Sequence, residues 1–220
     1  MELELKKECL DTYELGEPQT LTQEETAETI VPDYCPDIAR IISAEGVVCL
    51  HGGTEQDGVT GTVRVTVLYT PENESGVRAL EFAMPFSAQG EGLAGCAHVV
   101  VETEIELLES RMLNPRKIFT RCKLVTHLAG CRKVCLTISS DAETDPALLV
   151  EKRCCGQTVS LLRQVAEKDL TFSETMSLSL GREGAAELLH CRANGIVTET
   201  KAIGNKLIFK GVFLVSALYR

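Results

Sequence analysis

Four histidines, ten cysteines and one run of basic residues are the groups in this chain with chemistry to offer. His51, His98, His127 and His190 are scattered, with no carboxylate or cysteine at ligand spacing around them. They read as structural side chains. Cys131 and Cys135 resemble a metal pair, but four residues of extended strand span roughly 13 Å. One tetrahedral zinc cannot bridge that distance. The vicinal Cys154 and Cys155 could oxidise or cross-link to another protein, although burial or a loop position is the simpler account. Most of the cysteines are read as small buried apolar side chains. No phosphate loop, nucleophile elbow, paired-carboxylate motif or helical metal motif occurs in the sequence. The expectation is a chain that is not an enzyme and takes no cofactor and no metal.

The basic run lies between Arg111 and Lys133, where Arg111, Arg116, Lys117, Arg121, Lys123, Arg132 and Lys133 occur without one acidic residue. Alone, such a run suggests an anion or nucleic-acid site. The formal net charge of -10 argues the other way, because an acidic chain repels a polyanion. A row of glutamates on the preceding segment partly neutralises the run, and Phe119 is its one nearby aromatic. The run is therefore read as intramolecular pairing plus a protein-binding surface. Its candidate contacts are Arg111, Arg116, Lys117, Phe119, Arg121 and Lys123. Arg40 joins them because no local partner for it is evident.

The elements that must position these residues are strands. In 97–108, Ala97, Val99, Val101, Thr103, Ile105 and Leu107 share one face, and Glu102, Glu104 and Glu106 the other. Period-two alternation of this kind marks a half-buried strand. In 117–128 the apolar Ile118, Cys122, Leu124 and Leu128 alternate with Lys117, Arg121, Lys123 and His127. Asn114 and Pro115 stand between the two runs, at the first two positions of a type I turn. A hairpin whose paired positions sum to 229 sets Glu106 against Lys123, Glu102 against His127, Ile105 against Leu124 and Leu107 against Cys122. A second hairpin turns at Gly204-Asn205 in a type II′ geometry, pairing Glu199 with Lys210 and Val197 with Val212. Pro36 to Ile42 is expected to form two turns of helix, with proline first and Asp37 at the favourable end of the dipole. Its counterpart is expected at 186–191.

The chain repeats itself. Gly61 to Tyr69 reads GTVRVTVLY and Gly211 to Tyr219 reads GVFLVSALY, with the glycine, the central valine and the closing Leu-Tyr in register. A second likeness, at an offset of 90, relates Glu109, Ile118, Phe119, Leu124, Val125 and Leu128 to Glu199, Ile208, Phe209, Leu214, Val215 and Leu218. Repetition of this kind decides the fold class. The expectation is a mainly β protein: an antiparallel sandwich or barrel-like domain built from duplicated hairpins with one short helix, then a partial second copy. An acidic segment at 1–30 packs strands on the first domain, which occupies 31–140. A linker at 141–168 precedes the incomplete second domain at 169–220. Residues 207–219 are apolar at both odd and even positions, so cover is expected from the first domain, from 148–165 or from another chain. No stretch of about 18 apolar residues exists to span a membrane. The N-terminus lacks the apolar core of a signal peptide, which places the chain in the cytoplasm where it is made.

Three motifs carry a family likeness. They are Val31-Pro32-Asp33-Tyr34-Cys35-Pro36-Asp37-Ile38-Ala39-Arg40-Ile41, then Val67-Leu68-Tyr69, then Arg111-Met112-Leu113-Asn114-Pro115-Arg116-Lys117. Together they resemble the SPOCS domain, a domain of otherwise unknown function in sporulating Firmicutes, especially Clostridia. It often occurs in tandem and ahead of a LysM module. The resemblance covers the first 130 or so residues and recurs more faintly from about Phe172. It implies a non-catalytic structural or interaction protein of spore coat assembly or forespore encasement, in the mother-cell cytoplasm or at the forespore surface. Spore-coat proteins or further copies would be its partners. Within the motifs, Tyr34, Pro36, Asp37, Tyr69, Asn114 and Pro115 take structural roles. Two departures stand out: no LysM-like segment follows, and the second copy lacks its latter half, so the chain is read as a truncated one. The alternative is a glycan- or peptidoglycan-associated β module, which would want exposed aromatics; the chain has no tryptophan, four tyrosines and six phenylalanines.

Overall fold

The computed structural model describes residues 4–51, 58–143, 151, 153, 156, 158–165, 171, 173–175 and 187–219. These hold nine strands: β1 (Glu4–Leu15), β2 (Gln19–Ile30), β3 (Ile38–His51), β4 (Gly58–Pro71), β5 (Arg78–Gln89), β6 (His98–Asn114), β7 (Lys117–Glu143), β8 (Leu188–Ile203) and β9 (Lys206–Tyr219). Every pairing among them is antiparallel. The molecule is mainly β, as the alternation implies.

The long strand β7 organises the first sheet. β2 pairs with its first half and β1 with its second, so β1 and β2 run end to end along one side. The join falls at Gly16, whose N–H still donates to the Gly130 carbonyl at 2.8 Å. β6 takes the other side of β7. The acidic N-terminal segment is therefore an integral edge of this sheet. A second sheet runs β3-β4-β5 with β4 in the middle. β3 lies beside β6, and β2 beside β5. Val63, Val65, Val67 and Tyr69 of β4, Leu80 and Met84 of β5, and Ile118, Cys122 and Leu124 of β7 are buried in one core cluster. Alternation explains the choice: in β4 every odd residue from Val59 to Pro71 points inward, and in β7 every even residue from Ile118 to Leu128.

No helix occurs among the described residues, which corrects the expectation at 36–42. Ile38 opens β3, wholly buried, while Ile41 pairs with Tyr69 and Ile42 faces solvent. Two register shifts, at 38–40 and 41–43, let this isoleucine-rich stretch follow β4. Stiff β-branched side chains facing a ready strand partner outweigh the helix-start signal of proline and aspartate. Its counterpart fails alike: Leu188 to Cys191 are strand, and Ala186 lies outside the described residues.

The β6–β7 register holds at Glu102 with His127 and Ile105 with Leu124. Beyond them a bulge at Glu106 corrects the expected Leu107–Cys122 pair: Leu108 faces Cys122, and Leu107 turns outward. One extra residue flips every side chain after it. Glu106 nonetheless reaches Lys123 at 2.8 Å, as expected from charge.

β8 and β9 form a separate two-stranded sheet turning at Gly204, whose φ is +60°. Glu199 faces Lys210 as expected, but a bulge after Val197 pairs that valine with Gly211 and gives Val212 to Ile196. The cover expected for 207–219 is not supplied within the described chain: Leu207 and Phe209 on one face, and Val212 and Leu214 on the other, remain exposed. The Arg78–Glu187 ion pair at 3.6 Å and the His190 Nε2–Glu45 Oε2 hydrogen bond at 3.0 Å join the base of this hairpin to the β3-β4-β5 sheet. The expected linker divides: residues up to Glu143 complete β7, while 158–165 are irregular. The Leu162 carbonyl there accepts from the Tyr13 N–H at 2.8 Å. The Cys154–Cys155 pair lies outside the described residues.

Candidate protein-interaction site

The turn that joins β6 to β7 is built as the sequence requires. Asn114 pairs with Lys117, and its Oδ1 accepts from the Arg116 N–H at 2.9 Å, which fixes the tip with Pro115 beside it. The connection from β2 to β3, residues 31–37, crosses this tip. Its backbone is tied there: the Val31 N–H donates to the Arg116 carbonyl and the Ile38 N–H to the Pro115 carbonyl, each at 2.9 Å.

Arg116 completes the junction. Its Nη1 donates to the Cys35 carbonyl at 2.8 Å and to Asp37 Oδ1 at 3.0 Å; its Nη2 donates to the Val31 carbonyl at 2.9 Å and to Asp33 Oδ1 at 3.1 Å. A guanidinium fork suits this work because it presents fixed donors to carbonyl and carboxylate together. From the second sheet, the buried Tyr69 hydroxyl donates to the Pro36 carbonyl at 3.4 Å. Burial, and then the neighbouring Cys35, push the Tyr69 phenol up to about 12. Residues 31–38, 69 and 114–117, far apart in sequence, thus meet at one corner. What the corner holds out is Tyr34, whose side chain is 87% exposed.

Two residues along β7 from this turn, a cleft of about 650 Å³ opens on the outer face of the first sheet. Glu24, Glu109, Ser110, Arg111, Phe119 and Arg121 line it. Arg111 stacks over the Phe119 ring, 4.8 Å from its centroid. Arg121 donates to Glu24 at 2.6 Å, and that carboxylate holds the guanidinium more firmly charged than usual. Lys117 pairs with Glu28, and Lys123 with Glu106.

Of the basic candidates, the structure commits Arg116 to the corner and Lys117, Arg121 and Lys123 to ion pairs, and it leaves Arg111 over an aromatic beside open space. Arg40 is exposed on β3, and among the described residues it has no ion-pair partner. The partners Glu24 and Glu28 went unread in the sequence, although Thr20, Thr22, Glu24, Thr26 and Glu28 alternate there as the outer face of a strand.

The histidines make local contacts: His127 Nδ1 with Thr20 Oγ1 at 3.0 Å, His51 Nε2 with Thr62 Oγ1 at 2.6 Å, and His98 tilted against the Tyr13 ring. The cysteines depart from the expected burial. Among the eight described, Cys122 and Cys131 are buried, whereas Cys9 and Cys135 are exposed and joined by a disulfide, and Cys191 is exposed. Cys9 and Cys135 lie diagonally across β1 and β7 with Cα atoms 5.7 Å apart, within the reach of such a bond. Burial, and then Glu25, push the Cys122 thiol up to about 11, which makes it a poor nucleophile. No cluster of three potential metal ligands occurs among the described residues. Likewise, no helix there is long and apolar enough to cross a membrane.

Comparison with protein-family models, with curated proteins and with solved structures finds no match for this chain.

Proposed function

We propose that this chain is a non-catalytic structural and interaction protein of the SPOCS type. It acts in spore coat assembly or forespore encasement, on the mother-cell side of the forespore surface. Under this reading the two facing sheets form a β-sandwich, and the β8–β9 hairpin is the start of a duplicate of the same design. Its partner is a coat protein, bound at the β6–β7 tip.

The observation that carries the reading is the corner. A loop locked by four Arg116 hydrogen bonds presents Tyr34 almost fully to solvent, beside a groove in which Arg111 stacks on Phe119. Tyrosine and arginine are the residues that most often dominate protein interfaces, and a rigid mount lowers the entropy lost on binding. Each of the three motifs that suggest the family contributes residues to this mount.

The test is capture of partners from a sporulating-cell lysate by the whole chain and by Tyr34→Ala and Arg111→Glu variants. Both side chains are exposed, so these variants leave the folded core intact. The expected result is a coat protein retained by the native chain and lost, by at least about tenfold in affinity, with either variant. Equal capture by all three forms would falsify the assignment of the corner.

A further inference from the structure

β4 and β9 carry the two copies of the nine-residue repeat, yet their fates differ. Val63, Val65, Val67 and Tyr69 of β4 are 0–1% exposed. At the matching positions of β9, Val215 is 39% exposed and Tyr219 47%. The offset-90 likeness points the other way, since it matches the even residues of β9 to the inward residues of β7. The cross-strand partners in β8 decide between the two.

Directly paired residues of an antiparallel ladder share a face. The even positions Lys206, Ile208, Lys210, Val212, Leu214, Ser216 and Leu218 stand opposite Ile203, Lys201, Glu199, Ile196, Asn194, Arg192 and His190. That face mixes exposed apolar residues with the charges of Lys201, Lys206, Lys210, Glu199 and Arg192, and Glu199 bridges Lys210 on it at 3.0 Å. The odd positions Leu207, Phe209, Gly211, Phe213, Val215, Ala217 and Tyr219 stand opposite Ala202, Thr200, Val197, Gly195, Ala193, Cys191 and Leu188. No charge occurs on that face. It corresponds to the face that β4 turns into the core.

We infer that this uncharged face of the β8–β9 hairpin is a self-association surface, and that its occupant is the same face of a second copy of this chain. Leu188, Val197, Leu207, Phe209, Val215 and Tyr219 expose roughly 100 Å² each, about 600 Å² per copy. Apposing two copies buries about 1,200 Å², the lower bound for a specific interface. A single exposed patch of that size is at the upper limit for a monomer. A two-fold arrangement sets each patch against itself, and without charges it places no like pair in contact. Elsewhere a chain of net charge -10 repels its copy. β4 and β7 already turn their apolar faces into the core, so the matching surface still open in a second copy is this one. The inference stands on a different surface from the corner and does not depend on it.

Sedimentation of the whole chain across the micromolar range tests it, alongside Phe209→Glu on the uncharged face and Ile208→Glu on the charged one. The native chain and Ile208→Glu are expected to dimerise, whereas Phe209→Glu weakens the dimer by at least about 100-fold. A measurement on the native chain guards against variants that merely unfold the hairpin. Cys191 lies on the uncharged face, so its labelling by a maleimide slows as protein concentration rises. A native chain that stays monomeric, equal loss of dimer in both variants, a dimer that survives Phe209→Glu, or Cys191 labelling indifferent to concentration would each overturn the inference. Failure of the native chain to capture a partner, or equal capture by the Tyr34 and Arg111 variants, with an intact dimer would count only against the corner.

Discussion

Arg116 fastens the β2–β3 connection to the β6–β7 turn. Its guanidinium meets two carbonyls and two carboxylates of the 31–37 connection, while its backbone carbonyl receives Val31 from the same connection. Hydrogen bonds to a charged donor contribute more than neutral ones, and removing the donor leaves half-buried carbonyls unsatisfied. The side chain is a third exposed, so water offsets part of that loss. Arg116→Ala is expected to cost about 2–3 kcal/mol in urea unfolding. Arg116→Lys should recover less than half, because an ammonium cannot serve the four acceptors of a planar fork. An alanine variant as stable as the native chain would mean that the corner holds without this guanidinium. In the sequence this arginine is one of seven in a basic run, read as a surface contact and not as the tie between two connections. Its acceptors lie about 80 residues earlier, and only the crossing of two connections brings them within reach.

At the scale of elements, the hairpins were legible because period two and charge pairing point to the same register. Glu102 with His127, Ile105 with Leu124 and Glu199 with Lys210 all follow from it. What was not legible was where the ladder slips. The bulges at Glu106 and after Val197 leave no mark in the alternation or in the charge pairing. The helix at 36–42 failed for a related reason: its start signals are local, whereas its fate is decided by β4. Another such feature is the closeness of Phe86 to Gly61, its direct partner in β5. A Cβ at Gly61 would come within 2.5 Å of that ring. The glycine gives the phenylalanine room to lie across the strand, as aromatic rings do over strand glycines elsewhere. Gly61→Ala should therefore force the ring aside and cost about 1–3 kcal/mol in urea unfolding. Thr60→Ala, one residue along and facing solvent, should stay within about 0.5 kcal/mol. Equal effects would mean that the ring has another resting place.

Over the whole molecule, stability must be uneven. β4 and β7 are flanked on both edges and buried on one face, so their amides open only with the core. The β8–β9 hairpin has two strands, one charge-bearing face and one uncharged face, both open, and an isolated pair of that kind is marginal in water. Its solvent side depends on Glu199, whose carboxyl is held below the ordinary carboxylate range by hydrogen bonds from Lys201 and then Lys210. A lowered folded value stabilises only while the group is ionised: the contribution is present above the ordinary carboxylate range and is lost as pH falls through the lowered value. Hydrogen exchange should accordingly rank β9 amides well below those of β4 and β7 in protection. That gap should widen on acidification below about pH 4 and narrow as concentration rises and the open face is covered. Should β9 prove as protected as β4 in dilute solution at neutral pH, the hairpin must be covered within a single chain, and a second copy would have nothing left to bury.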